Sequence, residues 1–236
     1  GSKNLRKFSM NKEGFSDLQK TSSTDSQIRV AVLISGGGTN LQAIIDEERQ
    51  NPKNCPYKVS LVISSTKNAF GLERAKKANI PALVASPYSV LGEEQAKNAT
   101  RKEKRLAVSR QVLNLCQQHQ IQAIVLAGFL TVLSGSIVDE YSGRIINLHP
   151  ALLPKFGGVG MWGHHVHEAV IASGATESGC TVHLVDKGCD TGEILLQRKV
   201  PVLPGDTPET LYARIAPEEH SAMVEGIKLL AKKLKV

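Results

Sequence analysis

An α/β fold built on a largely parallel sheet is predicted by three observations in the 236-residue sequence. Val30-Ala31-Val32-Leu33-Ile34 is an unbroken apolar run, as expected of a strand buried on both faces. Strand and helix patterns then alternate through residues 57–64, 70–78 and 82–85, a βαβαβ order whose right-handed crossovers make neighbouring strands parallel. Two late segments, 178–185 and 194–200, read as an antiparallel pair. The expected class is a Rossmann-like, mostly parallel sheet with helices on both faces and a C-terminal antiparallel strand pair.

A hydrophobic content of 41% with 22% charged residues leaves enough apolar side chains for a sizeable core. No apolar run approaches the ~20 residues of a membrane span, and the N-terminus has no apolar signal segment. Cys55, Cys116, Cys180 and Cys189 show no paired spacing, which favours reduced thiols in a cytoplasmic protein. The net charge of +7 raises the question of nucleic acid. Lys228, Lys232, Lys233 and Lys235 lie in the last helix, however, while Lys3, Arg6, Lys7, Lys12 and Lys20 lie in a polar leader. Aromatics at 4% offer no stacking platform, so small anionic substrates or a solvated surface are expected instead. Residues 1–27 read as a disordered leader, with Gly1-Ser2 left by cloning, and residues 28–236 as a single domain. A monomer or a homodimer is compatible with this composition, with no nucleic-acid or membrane partner.

Ser35-Gly36-Gly37-Gly38-Thr39-Asn40 joins the first strand to a helix that turns Leu41, Ile44 and Ile45 inward. Such a turn presents backbone N–H groups at a helix N-terminus, where an anion is favoured, and Thr39 or Asn40 is placed to cap the helix or to add a side-chain donor. The turn lacks the Gly-Lys-Ser/Thr of a Walker loop, and Leu41 replaces the last glycine of a dinucleotide fingerprint. No acidic residue closes the second strand, which runs into Ser65-Thr66-Lys67. A phosphorylated small molecule is therefore favoured over NAD. A turn that uses glycine only for packing is the competing reading.

Thr100-Arg101-Lys102-Glu103 is a capping box opening a helix with Leu106, Val112, Leu113 and Cys116 on its inner side. Residues 122–127 form another buried strand, ending in Gly128-Phe129-Leu130-Thr131-Val132-Leu133 at the sheet edge where binding loops lie. The strand over 144–148 ends on the same edge. Side chains alternate along it, so Asn147 and His149 point the same way. An amide beside an imidazole could polarise a carbonyl and carry a proton, as acyl-type transfer requires. A polar pair that merely caps a strand end is the alternative.

A glycine-rich loop over 156–163 then leads to His164, His165 and His167. Three close histidines suggest a metal. Yet His164 and His165 face different ways on any element, and no cysteine or carboxylate completes a recognised spacing, so a supporting role and no metal are expected. In the strand over 178–185, Cys180, Val182 and Leu184 share one face and His183 takes the other. The connection over 186–193 is longer than a hairpin needs. Its flanking Gly188 and Gly192 allow Asp190 to be aimed at His149, where a carboxylate would favour the imidazolium; an ordinary Asx turn is the alternative. Thr207-Pro208 is an N-cap with proline at N1, opening a helix that carries Leu211, Ile215, Met223, Ile227 and Leu230 inward and that Pro217 breaks or kinks.

The glycine-rich Ser35–Gln42 stretch, the Leu126-Ala127-Gly128-Phe129 turn, Asn147-Leu148-His149-Pro150 with Leu152-Leu153-Pro154-Lys155, and Asp190-Thr191-Gly192 follow one another as in a known family. From about Arg29 onward the chain resembles the folate-dependent formyltransferases. Its Asn-x-His-Pro plus Asp set is similar to that of all relatives that use 10-formyltetrahydrofolate. Its Ser-Gly-Gly-Gly-Thr-Asn turn resembles that of members whose acceptor is 5'-phosphoribosylglycinamide (GAR), in de novo purine biosynthesis. The resemblance implies an enzyme in which GAR's amine attacks the formyl carbon of this folate co-substrate. Asn147 and His149 would stabilise the oxyanion, His149 would protonate the leaving nitrogen, and Asp190 would hold His149 charged and relay the amine's proton. Gly37, Gly38, Thr39 and Asn40 would hold the phosphate and Glu219 the ribose. Leu130, Thr131, Val132 and Leu133, with Asn147, would line the folate pocket, together with Arg101 or, by ungapped spacing, Arg105.

Thr131 stands where relatives often carry an arginine, which puts one contact to the folate's glutamate tail in doubt; the 157–163 loop and the surroundings of Ala216 also differ. A formyltetrahydrofolate hydrolase would use the same triad with water as acceptor, but usually carries an upstream regulatory domain. A methionyl-tRNA formyltransferase would need a C-terminal nucleic-acid-binding domain. A non-catalytic α/β module binding a phosphorylated ligand or RNA would leave Asn147 and Asp190 dispensable.

Overall fold

Seven strands form one sheet in the order β3-β2-β1-β4-β5-β6-β7 in the computed structural model, which describes residues 27–235. The strands are β1 (Ile28–Ile34), β2 (Tyr57–Ser64), β3 (Ala82–Val84), β4 (Ala123–Leu126), β5 (Ile145–His149), β6 (Glu177–Leu184) and β7 (Ile194–Pro201). The first five are mutually parallel, and β6 and β7 run antiparallel, as the sequence leads one to expect. The disorder expected of the leader falls on residues outside the described range, apart from Gln27. That residue is tied down: its amide donates to the carbonyls of Cys55 and Tyr57 at 3.2 and 3.3 Å.

The helices are α1 (Thr39–Gln50), α2 (Phe70–Lys77), α3 (Pro87–Leu91), α4 (Glu93–Asn98), α5 (Arg101–Gln118), α6 (Ser136–Glu140), α7 (His164–Ala172) and α8 (Pro208–Leu234). They divide the core in two. Val30 and Val32 of β1 face one cluster, built with α1, α2, α7 and α8, while Ala31 and Leu33 face the other, built with α5 and α6. A continuous apolar strand is what a sheet covered on both sides demands, and each fully buried Val, Leu or Ile contributes about 1.5–3 kcal/mol. No helix among the described residues is long and apolar enough to cross a membrane.

Two local expectations are corrected, and the last helix is one continuous element. Neither Thr39 nor Asn40 caps α1: the N-cap is Gly38 in the left-handed region (φ 75°), with no side-chain cap bond. The turn needs that backbone angle more than it needs a hydroxyl, because Gly38 passes against Gly71 of α2; a Cβ there would lie 2.8 Å from the Gly71 Cα. Leu106 is not inward; it is 36% exposed and sits over the Gly135 turn, while Val112, Leu113 and Cys116 of α5 are buried as expected. Pro217 does not break the last helix, which continues through it over 27 residues. Its missing N–H and ring clash cost about 3 kcal/mol. Leu211 and Ile215 before it and Ala222, Met223 and Ile227 after it are all fully buried on one face, and their packing outweighs that cost. The capping boxes at Thr100–Glu103 and Thr207–Thr210 are present.

Candidate active site

Strand register brings the important loops together. Leu33 at the end of β1 pairs with Leu126 of β4, which in turn pairs with Asn147 of β5. The segments leaving these three strands, residues 35–40, 127–133 and 150–158, therefore start side by side on one sheet edge. The first two are also bonded to each other, through Leu130 N–H donating to Ser35 Oγ at 2.9 Å.

Asn147 and His149 share a face of β5, and β6 adds a third polar group to that face. Asn147 is paired with His183 across the antiparallel ladder, so their side chains stand together. Asn147 Nδ2 lies 3.3 Å from His183 Nε2, while His183 Nδ1 lies 3.0 Å from the Leu184 carbonyl. A carbonyl only accepts, so Nδ1 carries the proton and Nε2 offers its lone pair to the amide. Burial holds His183 below the usual imidazole range, which keeps the ring in the neutral form this pairing requires.

His149 is 3% exposed. Its Nε2 donates to the Phe156 carbonyl at 2.7 Å, and its Nδ1 faces Asp190 Oδ2 at 3.6 Å. The other Asp190 oxygen lies 3.6 Å from His183 Nε2. Asp190 is thus the carboxylate between two histidines. Its backbone is in the left-handed region (φ 58°), and Oδ2 accepts from Gly158 N–H at 2.9 Å, which pins it from the far side. The loop around it contains an Asx turn, but Asp186 makes it, accepting from Gly188 N–H at 2.9 Å and Thr191 Oγ1 at 2.7 Å. The Asx turn expected as the alternative for Asp190 is thus made by Asp186 instead. Gly192 is needed for closeness: a Cβ would come within 1.7 Å of the Leu184 carbonyl oxygen.

The glycine turn has an uneven hydrogen-bond pattern. Its carbonyls are all engaged: Gly36 O by Gly71 N–H (3.0 Å), Gly37 O by Arg74 Nε (2.7 Å) and Gly38 O by Gln42 N–H (2.8 Å). The N–H groups of Gly37 and Gly38 have no acceptor among the described residues. Asn40 Oδ1 is buried without a partner. Donors without acceptors at the start of a 12-residue helix are an arrangement in which an anion is favoured.

These features (a strand-end Asn and His, a loop Asp and a glycine turn on one edge) can be compared with known proteins. A family model described as formyl transferase matches residues 28–227. The chain belongs to the formyl transferase family. It is 37% identical over 196 residues to the phosphoribosylglycinamide formyltransferase of Escherichia coli, a match covering 82% of each chain. It is 44% identical over 203 residues to a trifunctional purine biosynthetic protein, adenosine-3, of Drosophila pseudoobscura, covering 86% of this chain but only 14% of that relative's length. The solved glycinamide ribonucleotide transformylase 1 of Symbiobacterium toebii superposes with a TM-score of 0.77 at 36% identity, over 91% of this chain and 93% of that one.

The other expected site residues are distributed along the same edge and on α5 and α8. Leu130 and Val132 are exposed beyond β4, 67% and 54% respectively, Thr131 lies between them half-buried, and Leu133 turns into the second core cluster. The segment is anchored to α5 by Ser134 N–H donating to Ser109 Oγ at 2.9 Å. Arg101 and Arg105 are both exposed, on the first and second turns of α5. Glu219 is 6% exposed on α8, no hydrogen bond from a described residue reaches its carboxyl, and burial pushes its pKa up to about 7. The histidine cluster diverges. His164 and His165 are exposed, whereas His167 is buried against Tyr212, with ring centroids 5.8 Å apart, and burial holds it below the usual range. No group of three His, Cys, Asp or Glu among the described residues is arranged to hold a metal.

Sequence reading missed His183 and Arg74. His183 had a usable signal, since it occupies the non-apolar face of a strand expected beside the one carrying Asn147. Arg74 had none, because its partner is a carbonyl 37 positions away.

Proposed function

We propose that this chain transfers the formyl group of 10-formyltetrahydrofolate to the primary amine of 5'-phosphoribosylglycinamide, a step of purine biosynthesis. The observation that carries the reading is the carboxylate–imidazole–amide row at the sheet edge, next to a turn whose N–H groups lack acceptors. The row supplies what formyl transfer needs, and the turn suits a phosphate. The names of the Escherichia coli and Symbiobacterium relatives support the choice of acceptor.

In this reading the GAR phosphate sits on the N–H groups of Gly37, Gly38, Thr39 and Asn40, and Glu219 faces the ribose. The folate lies over the Leu130–Leu133 segment, with Arg101 or Arg105 toward its tail. The amine attacks the formyl carbon. Asn147 Nδ2, one hydrogen given to His183, directs its other hydrogen at the developing oxyanion. Nε2 of His149 donates to the Phe156 carbonyl, which leaves Nδ1, 3.6 Å from the Asp190 carboxylate, as the nitrogen to carry the transferred proton. As the tetrahedral intermediate collapses, that proton goes to the leaving folate nitrogen while the attacking amine loses one to Asp190, so that formyl-GAR and tetrahydrofolate are released with protons balanced. Reprotonation of His149 by Asp190 restores the site.

The test is incubation with 10-formyltetrahydrofolate in the presence and absence of GAR. Tetrahydrofolate release that requires GAR is expected. Equal release without GAR would assign water as the acceptor, and no release in either case would remove the catalytic reading.

A further inference from the structure

We propose that Arg74 of α2 is a positioning residue for the phosphate-binding turn, acting through the Gly37–Gly38 peptide; this rests on the reading of that turn given above. In a trans peptide the C=O and the following N–H point in opposite directions. Arg74 Nε holds the Gly37 carbonyl at 2.7 Å, so the Gly38 N–H is turned away from α2 and toward the proposed phosphate position. Gly71 N–H does the same for the preceding peptide by holding the Gly36 carbonyl at 3.0 Å. One short helix thus draws both carbonyls to its side and leaves the donors on the other.

The guanidinium itself is fixed. Nη1 donates to Gln42 Oε1 at 3.3 Å, and Gln42 Nε2 donates onward to Asp46 Oδ1 at 2.8 Å. The guanidinium carbon stands 5.0 Å from the centre of the Phe70 ring. Nη2 has no hydrogen-bond partner among the described residues. A cation held behind the turn polarises the Gly37 carbonyl and strengthens the adjoining N–H as a donor. Lysine keeps the charge but cannot bond Gly37 O and Gln42 Oε1 in a fixed fork.

The experiment compares wild type, Arg74→Met and Arg74→Lys in steady-state formylation of GAR and of its dephosphorylated riboside, with titration of inorganic phosphate as a second arm. Arg74→Met is expected to raise KM for GAR by roughly 10- to 100-fold, the loss typical of a hydrogen bond to a charged group. Its kcat and folate KM should stay within about twofold, its KM for the riboside should barely move, and Arg74→Lys should fall between. Phosphate affinity should drop in parallel. Equal KM increases for GAR and riboside, or unchanged KM and phosphate affinity in Arg74→Met, would overturn the assignment. Absence of GAR formylation by wild type would instead reject the acceptor reading, and the phosphate titration would still decide the role of Arg74.

Discussion

Oδ2 of Asp190 lies 3.6 Å from Nδ1 of His149, with both side chains almost fully withdrawn from solvent. At that separation the two groups are not hydrogen-bonded, and Asp190 keeps its place by accepting from Gly158 N–H. Asp190→Asn preserves the shape but removes the negative charge and the proton acceptor. A fall in kcat of about 10²- to 10⁴-fold is expected, with KM for GAR little changed. Steady-state kinetics checks this; a kcat within threefold of wild type would take Asp190 out of the reaction.

The bond between Asn147 and His183 makes a second prediction. His183→Phe keeps a ring in the same space but leaves the Asn147 amide without its acceptor, so the amide is no longer held toward the oxyanion. A kcat loss of roughly 10- to 100-fold is expected. Because both substitutions act on one hydrogen bond, adding His183→Phe to Asn147→Ala should cost little more. Additive losses in that cycle would mean His183 works independently.

Glu219 makes stability depend on pH. Its native pKa is raised to about 7 by burial, above the ordinary value of 4.5. Between those values the native state keeps a proton that the unfolded chain has released, so stability falls as pH rises through this window. Above it the native state carries the whole cost of a buried charge. Glu219→Gln removes this dependence, so its stability relative to wild type should rise by on the order of 2–3 kcal/mol between pH 4.5 and 8. Urea unfolding of both proteins at the two pH values measures it; a constant difference would refute the assignment.

Gly38→Ala introduces a side chain at φ 75° and 2.8 Å from backbone of Gly71. Neither can yield cheaply, since the Gly71 amide is itself bonded to the turn. Destabilisation of about 1–3 kcal/mol, together with a KM for GAR raised at least tenfold, is expected from denaturation and kinetics. Wild-type values of both would show that the turn tolerates a looser path.

The strands, the C-terminal antiparallel pair and the shared face of Asn147 and His149 were legible because alternation and apolar runs are local properties that the sheet then uses directly. Asp190 was legible as a carboxylate between two glycines; that it faces two histidines depends on the β5–β6 register. Thr39 and Asn40 misled as caps because a composition rule was applied where the close approach of Gly71 sets the backbone. The helix runs on through Pro217 because the proline's cost is local while the apolar face that outweighs it is spread over 27 residues. His183 and Arg74 act on partners far away in sequence, which periodicity does not reach.

The central claim is that the amide, imidazole and carboxylate at this edge move one carbon from folate to an amine. Carbon-13 in the formyl group of 10-formyltetrahydrofolate, followed by NMR in a single turnover with GAR, tests it most directly. Wild type should place the label in the formamide of formyl-GAR, one per tetrahydrofolate released, and His149→Ala, still folded, should leave it on the folate. Label appearing as free formate, or reaching GAR at the wild-type rate in His149→Ala, would contradict it.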